Sequence, residues 1–339
     1  MPAASLWRTN LGERRLETGF PGLLIRSLNI LDRGATLTLM ADNRNSDSEN
    51  SLQIAGRAGM PAPHSAGWGS SYRLVAAEKW KAKSAYMGGA VTQALVDYAR
   101  PAEGMRVLDL ATGTGEPGIS LAERVGAGGS VTAVDQSAEL LQIAAERARK
   151  KGLRNFETRQ ADAHALPFAD RNFDLATCRF GVMFFADASR ALGELQRVLK
   201  PGARACFAAW GSIEQPYWQS TMKIVQRHAG GTLVVPGGAD PFRYSAEGSL
   251  SDILRAVGFR EVEESTRNLP WTWLGDAEEV FEYACAVATP FRPMLDRITE
   301  ADWPATRAEA VAAIKRYRVG EEIRFGADVV FASGVRELA

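Results

Sequence analysis

Three short segments of this chain carry residue types at spacings that suit binding chemistry. Asp109-Leu-Ala-Thr-Gly113-Thr114-Gly115-Glu-Pro-Gly118 is a glycine-rich turn headed by an acid. Its glycines let a ligand approach the backbone closely, and it feeds a helix N-terminus. Asp135 lies 22 residues beyond Gly113, where one carboxylate can accept both hydroxyls of a ribose. Asp162-Ala163, within Gln160-Ala-Asp-Ala-His-Ala-Leu-Pro-Phe168, adds a carboxylate suited to an adenine amino group.

For these segments to meet, each must follow a strand in one parallel sheet. The sequence predicts that arrangement. A strand-length apolar run falls at Arg106–Ala111, and further strands fit Ser130–Val134, Phe156–Gln160, Phe173–Cys178 and Ala203–Ala209. Helices are expected at Ala76–Tyr98, at Ile119–Val125, from a Ser137 cap to Lys151, and at Ala188–Leu199, where Lys200-Pro201-Gly202 stops the last. Strands alternating with helices at this spacing imply parallel pairing through right-handed crossovers, an open doubly wound α/β sheet. Ligands bind such sheets outside the carboxyl ends of the strands, and that is where the three segments lie. The later chain reads as a helix near Leu250–Val257, a strand near Arg260–Trp273, helical stretches within Ala277–Tyr317 and a final strand at Val329–Ser333.

Composition fits this class. The 339 residues are 46% hydrophobic and 24% charged, as in ordinary globular chains. Forty basic residues balance forty acidic ones, so no global positive field favours nucleic acid or anionic membrane. Cys178, Cys206 and Cys285 lack metal-ligand or disulfide-framework spacing, so neither a metal site nor an oxidising compartment is expected. Phe20–Leu31 is interrupted by Pro21, Arg26 and Asn29, and no run reaches about 18 apolar residues; a cytoplasmic protein without a membrane span is expected. Residues 1–68 include the polar stretch Ala41–Asn50 and a Gly/Pro/Ser-rich segment at 56–71, which reads as a largely disordered extension with weak structure over Leu16–Met40. Met60 offers an alternative start, and the extension is assigned no function. A cofactor-binding core over 69–211 and a part over 212–339 with the remaining strands and an insertion complete the expected organisation.

Gly113-x-Gly115-x-x-Gly118 with a later acid also fits a dinucleotide fingerprint, which would make the chain an NAD(P) oxidoreductase. Charge discriminates. A dinucleotide brings an anionic pyrophosphate to the turn, whereas S-adenosylmethionine carries a net charge of about +1; acids at Asp109, Asp135 and Asp162 favour the cation.

The same residues resemble class I S-adenosylmethionine-dependent methyltransferases, particularly the group of ubiquinone and menaquinone C-methyltransferases. Val107-Leu-Asp-Leu-Ala-Thr-Gly-Thr-Gly115 is similar to their first motif, Asp135 to the ribose-binding acid, Asp162-Ala163 with Leu166-Pro-Phe168 to the adenine motif, and Arg197–Gly202 to the segment before strand five. These run in family order over Ala76–Gly211. The resemblance implies a Rossmann-like sheet of seven strands with an antiparallel last strand, and S-adenosyl-L-methionine as cofactor. It implies Gly113, Thr114 and Gly115 against the methionine and sugar, Asp109 near the amino group, Asp135 on the ribose with Gln136 beside the adenine, Ala163 donating its N–H to the ring, and Asp162 taking the exocyclic amine. Quinone-modifying members tend to place serine before the Phe-Gly that ends strand four; this chain has Arg179 before Phe180-Gly181. Arg179 is read either as a ligand for an acidic substrate group or as a structural ion pair.

Methyl transfer is an in-line displacement needing alignment and water exclusion rather than a covalent intermediate. No catalytic residue is assigned. His64, His164, His228 and Tyr86 are the candidate bases, and Cys178 reads as a buried strand residue rather than a nucleophile. Trp210, Trp218, Trp271, Trp273 and Trp303 lie in the later part and suggest an aromatic lid over a small apolar or aromatic acceptor, with plain core packing as the competing reading. Trp80 and Tyr86, on the helix Ala76–Tyr98, would close the other side. A relative that binds cofactor without catalysis is the remaining alternative.

Overall fold

The computed structural model describes residues 23–31, 34–41 and 79–338. Strands β1 (Leu23–Leu31) and β2 (Gly34–Ala41) pair antiparallel as a hairpin. The rest of the expected extension, including His64, lies outside the described residues, as does the start of the helix expected from Ala76.

Residues 79–338 belong to a second compact unit built on one sheet. Its strands β3 (Arg106–Leu110), β4 (Ser130–Asp135), β5 (Phe156–Gln160), β6 (Phe173–Arg179) and β7 (Leu199–Trp210) are parallel. Strands β8 (Arg260–Leu274) and β10 (Glu322–Val335) complete the order β5-β4-β3-β6-β7-β10-β8, and the two-residue β9 (Arg318–Val319) pairs with β10. β10 runs antiparallel to both β7 and β8. The expected seven-stranded Rossmann-like sheet with an antiparallel last strand is therefore present; β9 is an addition, and β10 is much longer than Val329–Ser333. The sheet crosses the expected division at residue 211, because β7 and β10 are paired.

Local sequence explains the elements that position the site. β3 and β6 are buried on both faces, as near-continuous apolar runs in a covered parallel sheet should be. Helix α4 (Ala138–Lys150) starts where Ser137 Oγ accepts the Leu140 N–H at 3.2 Å, and carries Glu139 in its first turn and Arg147, Arg149 and Lys150 in its last, matching the helix dipole. Helix α5 (Ala188–Val198) buries Ala191, Leu192, Leu195 and Val198 along one face and is capped by Asp187. It passes directly into β7 at Leu199, because Pro201 cannot follow in a helix. Helix α3 (Gly118–Val125) opens just after the glycine turn.

The helix expected over Ala76–Tyr98 is broken into α1 (Lys81–Met87) and α2 (Gly89–Ala99) at Gly88. The break falls at the pair Gly88-Gly89, and a residue 91 positions away packs there: Arg179 Nη1 donates to the Gly88 carbonyl at 3.3 Å, and a Cβ at Gly88 would lie 2.8 Å from that nitrogen. Between β7 and β10 come α6 (Pro216–Gln219), α7 (Met222–Ala229), α8 (Ser249–Ala256), β8, α9 (Ala277–Val287), α10 (Arg292–Leu295) and α11 (Trp303–Lys315).

Candidate functional site

The site forms at the carboxyl ends of β3, β4 and β6. Asp109, near the end of β3, is wholly buried: its Oδ1 accepts Thr177 Oγ1 at 2.7 Å, and its Oδ2 accepts Thr112 Oγ1 at 2.6 Å and the Gly118 N–H at 3.0 Å. Burial pushes this carboxyl up to about 6 despite those donors. Asp109 thus lies beneath the turn and braces it. It is not on the cavity wall.

Gly113 has a φ of 56° with open space where a Cβ would stand, so its backbone faces free volume. Its N–H donates to Asp135 Oδ2 at 2.8 Å, while Asp135 Oδ1 accepts the Ser137 N–H at 3.0 Å. Gly115, at φ 106°, is a packing glycine: a Cβ there would lie 2.7 Å from Ile119 Cδ1. Asp162 Oδ1 accepts from the His164 N–H at 3.0 Å, from Gln136 Nε2 at 3.2 Å and from His164 Nδ1 at 2.6 Å. The His164 backbone N–H is the main reason its carboxyl is held below the usual range. His164 Nε2 in turn accepts the Asp187 N–H at 3.1 Å, so both ring nitrogens are committed.

These elements enclose a cavity of about 450 Å³, within the range of small-molecule sites. Of the residues expected to bind cofactor, Gly113, Thr114, Asp135, Gln136 and Ala163 line it; Asp109, Gly115 and Asp162 do not. The acids on the wall itself are Asp135 and Glu116, the latter inside the glycine turn and without a signal in its spacing that sets it apart from a surface acid. Glu116 pairs with Arg147 at 3.4 Å, and Arg147 also donates to the Thr114 carbonyl at 2.6 Å.

The opposite wall is aromatic. Phe180 stacks on Trp210 at 4.4 Å with a 14° interplanar angle, and the edges of Trp271 and Trp218 meet Trp210 at 5.0 and 5.3 Å. Phe180 is held at φ 58°, a conformation that non-glycine residues rarely adopt and that is found where a site constrains the backbone. Of the expected lid residues, Trp210, Trp218 and Trp271 line the cavity, whereas Trp273 is wholly buried against Tyr283 and Trp80, and Trp303 packs on Phe281. Ser84, Ala85 and Gly88 close the other side, not Trp80 or Tyr86. Tyr86 is 49% exposed and bonded to Glu322, and His228 is bonded to Glu309, so neither is placed to act as a base on the cavity. Cys178 is buried and its thiol is pushed up by burial, which removes it as a nucleophile.

Arg179, at the end of β6, lines the cavity and donates to Gly88 O and, at 2.9 Å, to Thr92 Oγ1. Its Nε is buried without an acceptor, as are the indole nitrogens of Trp218 and Trp271. Leaving each such donor unsatisfied costs roughly 1–3 kcal/mol.

A family model described as a methyltransferase domain matches residues 101–229. The demethylmenaquinone methyltransferase of Thermus thermophilus is 37% identical over 178 residues, which cover 48% of this chain and 78% of that protein. The ubiquinone/menaquinone biosynthesis C-methyltransferases of Idiomarina loihiensis and Xanthomonas oryzae are 31% and 44% identical, over 50% and 48% of this chain and 71% and 69% of theirs. A crystal structure of a SAM-dependent methyltransferase from Aquifex aeolicus aligns with a TM-score of 0.44 at 25% identity, over 57% of this chain and 90% of that one. By its identity to these curated relatives the chain belongs to the class I S-adenosylmethionine-dependent methyltransferases, in the group of the ubiquinone/menaquinone biosynthesis C-methyltransferases.

Proposed function

We propose that Gly113, Thr114, Asp135, Gln136 and Ala163 hold S-adenosylmethionine, and that the methyl acceptor is a small aromatic molecule lying against Phe180, Trp210 and Trp271. The observation that carries this reading is one cavity with two chemically different walls. The polar wall suits a nucleoside: Asp135 uses one lone pair of each oxygen on Gly113 and Ser137 and keeps acceptor capacity for two ribose hydroxyls. Asp135 brings negative charge to this wall, since Glu116 is balanced by Arg147, and that charge suits a sulfonium and opposes the pyrophosphate of a nicotinamide dinucleotide.

The bound donor supplies an electrophilic methyl group on its sulfonium. The chain's own part is alignment and exclusion of water. Phe180, Trp210 and Trp271 together form an apolar aromatic surface against which an acceptor ring can lie. Neither ring nitrogen of His164, the histidine on the wall, is free for acid–base work.

The relatives' names concern ubiquinone and menaquinone biosynthesis, and an aromatic acceptor of that general kind suits the aromatic wall. Arg179, in place of serine at the end of β6, supports an acceptor of different polarity. Three unpaired cysteines support a reducing, cytoplasmic setting.

Titration calorimetry with S-adenosylhomocysteine and with NADH tests the donor site. Binding of the first and not the second is expected; the reverse overturns the reading. Transfer of a labelled methyl group from S-adenosylmethionine to a metabolite extract separates an enzyme from an inert binder.

A further inference from the structure

Three residues around the aromatic wall, Arg179, Trp218 and Trp271, each carry a buried N–H that no protein group accepts, and all three line the same cavity. The two tryptophans are at most 8% exposed. Buried donors without partners are rare in native proteins, so three around one hollow call for an acceptor from outside the chain.

Arg179 is anchored yet left with unused donors. Its Nη1 is tied to Gly88 O and Thr92 Oγ1, which fixes the guanidinium through α1 and α2. Among the described residues no carboxylate closes on it as an ion pair, and the acids whose charge reaches it are Glu116 and Asp109. Glu116, the nearby wall carboxylate, is taken by Arg147 and does not close on it. The guanidinium carbon stands 5.9 Å from the Phe180 ring centroid, so a charge and a flat aromatic face are presented side by side. A planar, permanently charged donor set next to a ring selects a carboxylate on an aromatic skeleton.

We propose that Arg179, assisted by the indole N–H groups of Trp218 and Trp271, recognises a carboxylate on the methyl acceptor, so that the substrate class is planar aromatic acids rather than neutral aromatic compounds. This rests on the reading of the aromatic wall as the acceptor site.

The test uses the full chain saturated with S-adenosylhomocysteine, titrated with 2-naphthoate and with its neutral counterpart 2-naphthamide. Naphthoate is expected to bind at least ten-fold more tightly. Arg179→Met is expected to abolish that preference, and Trp271→Phe, which keeps a ring but removes the N–H, to narrow it several-fold. The proposal is overturned if the amide binds as well as the acid, if neither binds, or if the preference survives in the variants. Should Arg179→Met fail to fold, Trp271→Phe decides. Failure of S-adenosylhomocysteine itself to bind would instead sink the methyltransferase site, a separate result from the naphthoate comparison.

Discussion

Asp135 Oδ2 accepts the Gly113 N–H at 2.8 Å, so the acid that ends β4 and the glycine turn that follows β3 are one rigid unit. Asp135→Asn keeps an oxygen for Gly113 but loses the charge and acceptor capacity offered to a ribose. Hydrogen bonds to charged groups contribute about 1.5–3 kcal/mol, so S-adenosylhomocysteine affinity should fall roughly 10- to 100-fold. Calorimetry on the variant checks this; a change under two-fold would remove Asp135 from the cofactor site.

Asp109 makes stability depend on pH. Its carboxyl is raised to about 6 in the folded chain by burial, against an ordinary 3.8. The folded state therefore holds a proton between those values that the unfolded state has released. Its contribution is fully present below about pH 4 and is lost as pH rises through about 6, a change of about 3 kcal/mol. Urea unfolding of the wild-type chain and of Asp109→Asn, compared from pH 4 to 7.5, isolates the effect: the stability difference should move in favour of the variant as pH rises.

Trp271 and Trp273 sit two residues apart on β8 and should behave differently. Trp271 faces the cavity, so Trp271→Ala should weaken acceptor binding by ten-fold or more. Trp273 is wholly buried off the wall, and Trp273→Ala should cost about 3–5 kcal/mol of stability. Chemical denaturation read beside ligand titration distinguishes them; equal effects on both properties would refute the division.

Arg147 steadies the turn from α4, donating to the Thr114 carbonyl and pairing with Glu116, both side chains less than a fifth exposed. Arg147→Ala should lower S-adenosylhomocysteine affinity by about ten-fold, through loosening of the Thr114 backbone and an unpaired Glu116. Hydrogen exchange at residues 112–116 should rise in the free variant; unchanged exchange together with unchanged affinity would contradict this role.

Much of the sheet was legible because most of its parallel strands carry apolar runs alternating with helices, with Ser137 and Asp187 marking two helix starts. The contact of Arg179 with Gly88 was not, since it joins positions distant in sequence. The polar wall was readable from the Gly113 turn and Asp135, whose types and spacing are local. The setting of Asp109 was not readable: a sequence shows that a carboxylate follows a strand but not that Thr112, Thr177 and the Gly118 N–H engage both its oxygens. The aromatic wall draws Phe180, Trp210, Trp271 and Phe291 from distant parts of the chain, and nothing in local patterning separates Trp271 from Trp273.

The position of β10 constrains how this molecule can be made. β8 is synthesised before β10 yet reaches the sheet only through it. As the polypeptide leaves the ribosome, β7 therefore keeps a bare edge, and β8 has no berth, until residues 322–335 emerge. Nascent chains halted before that point would expose a strand edge open to intermolecular pairing, and would be natural clients for a chaperone.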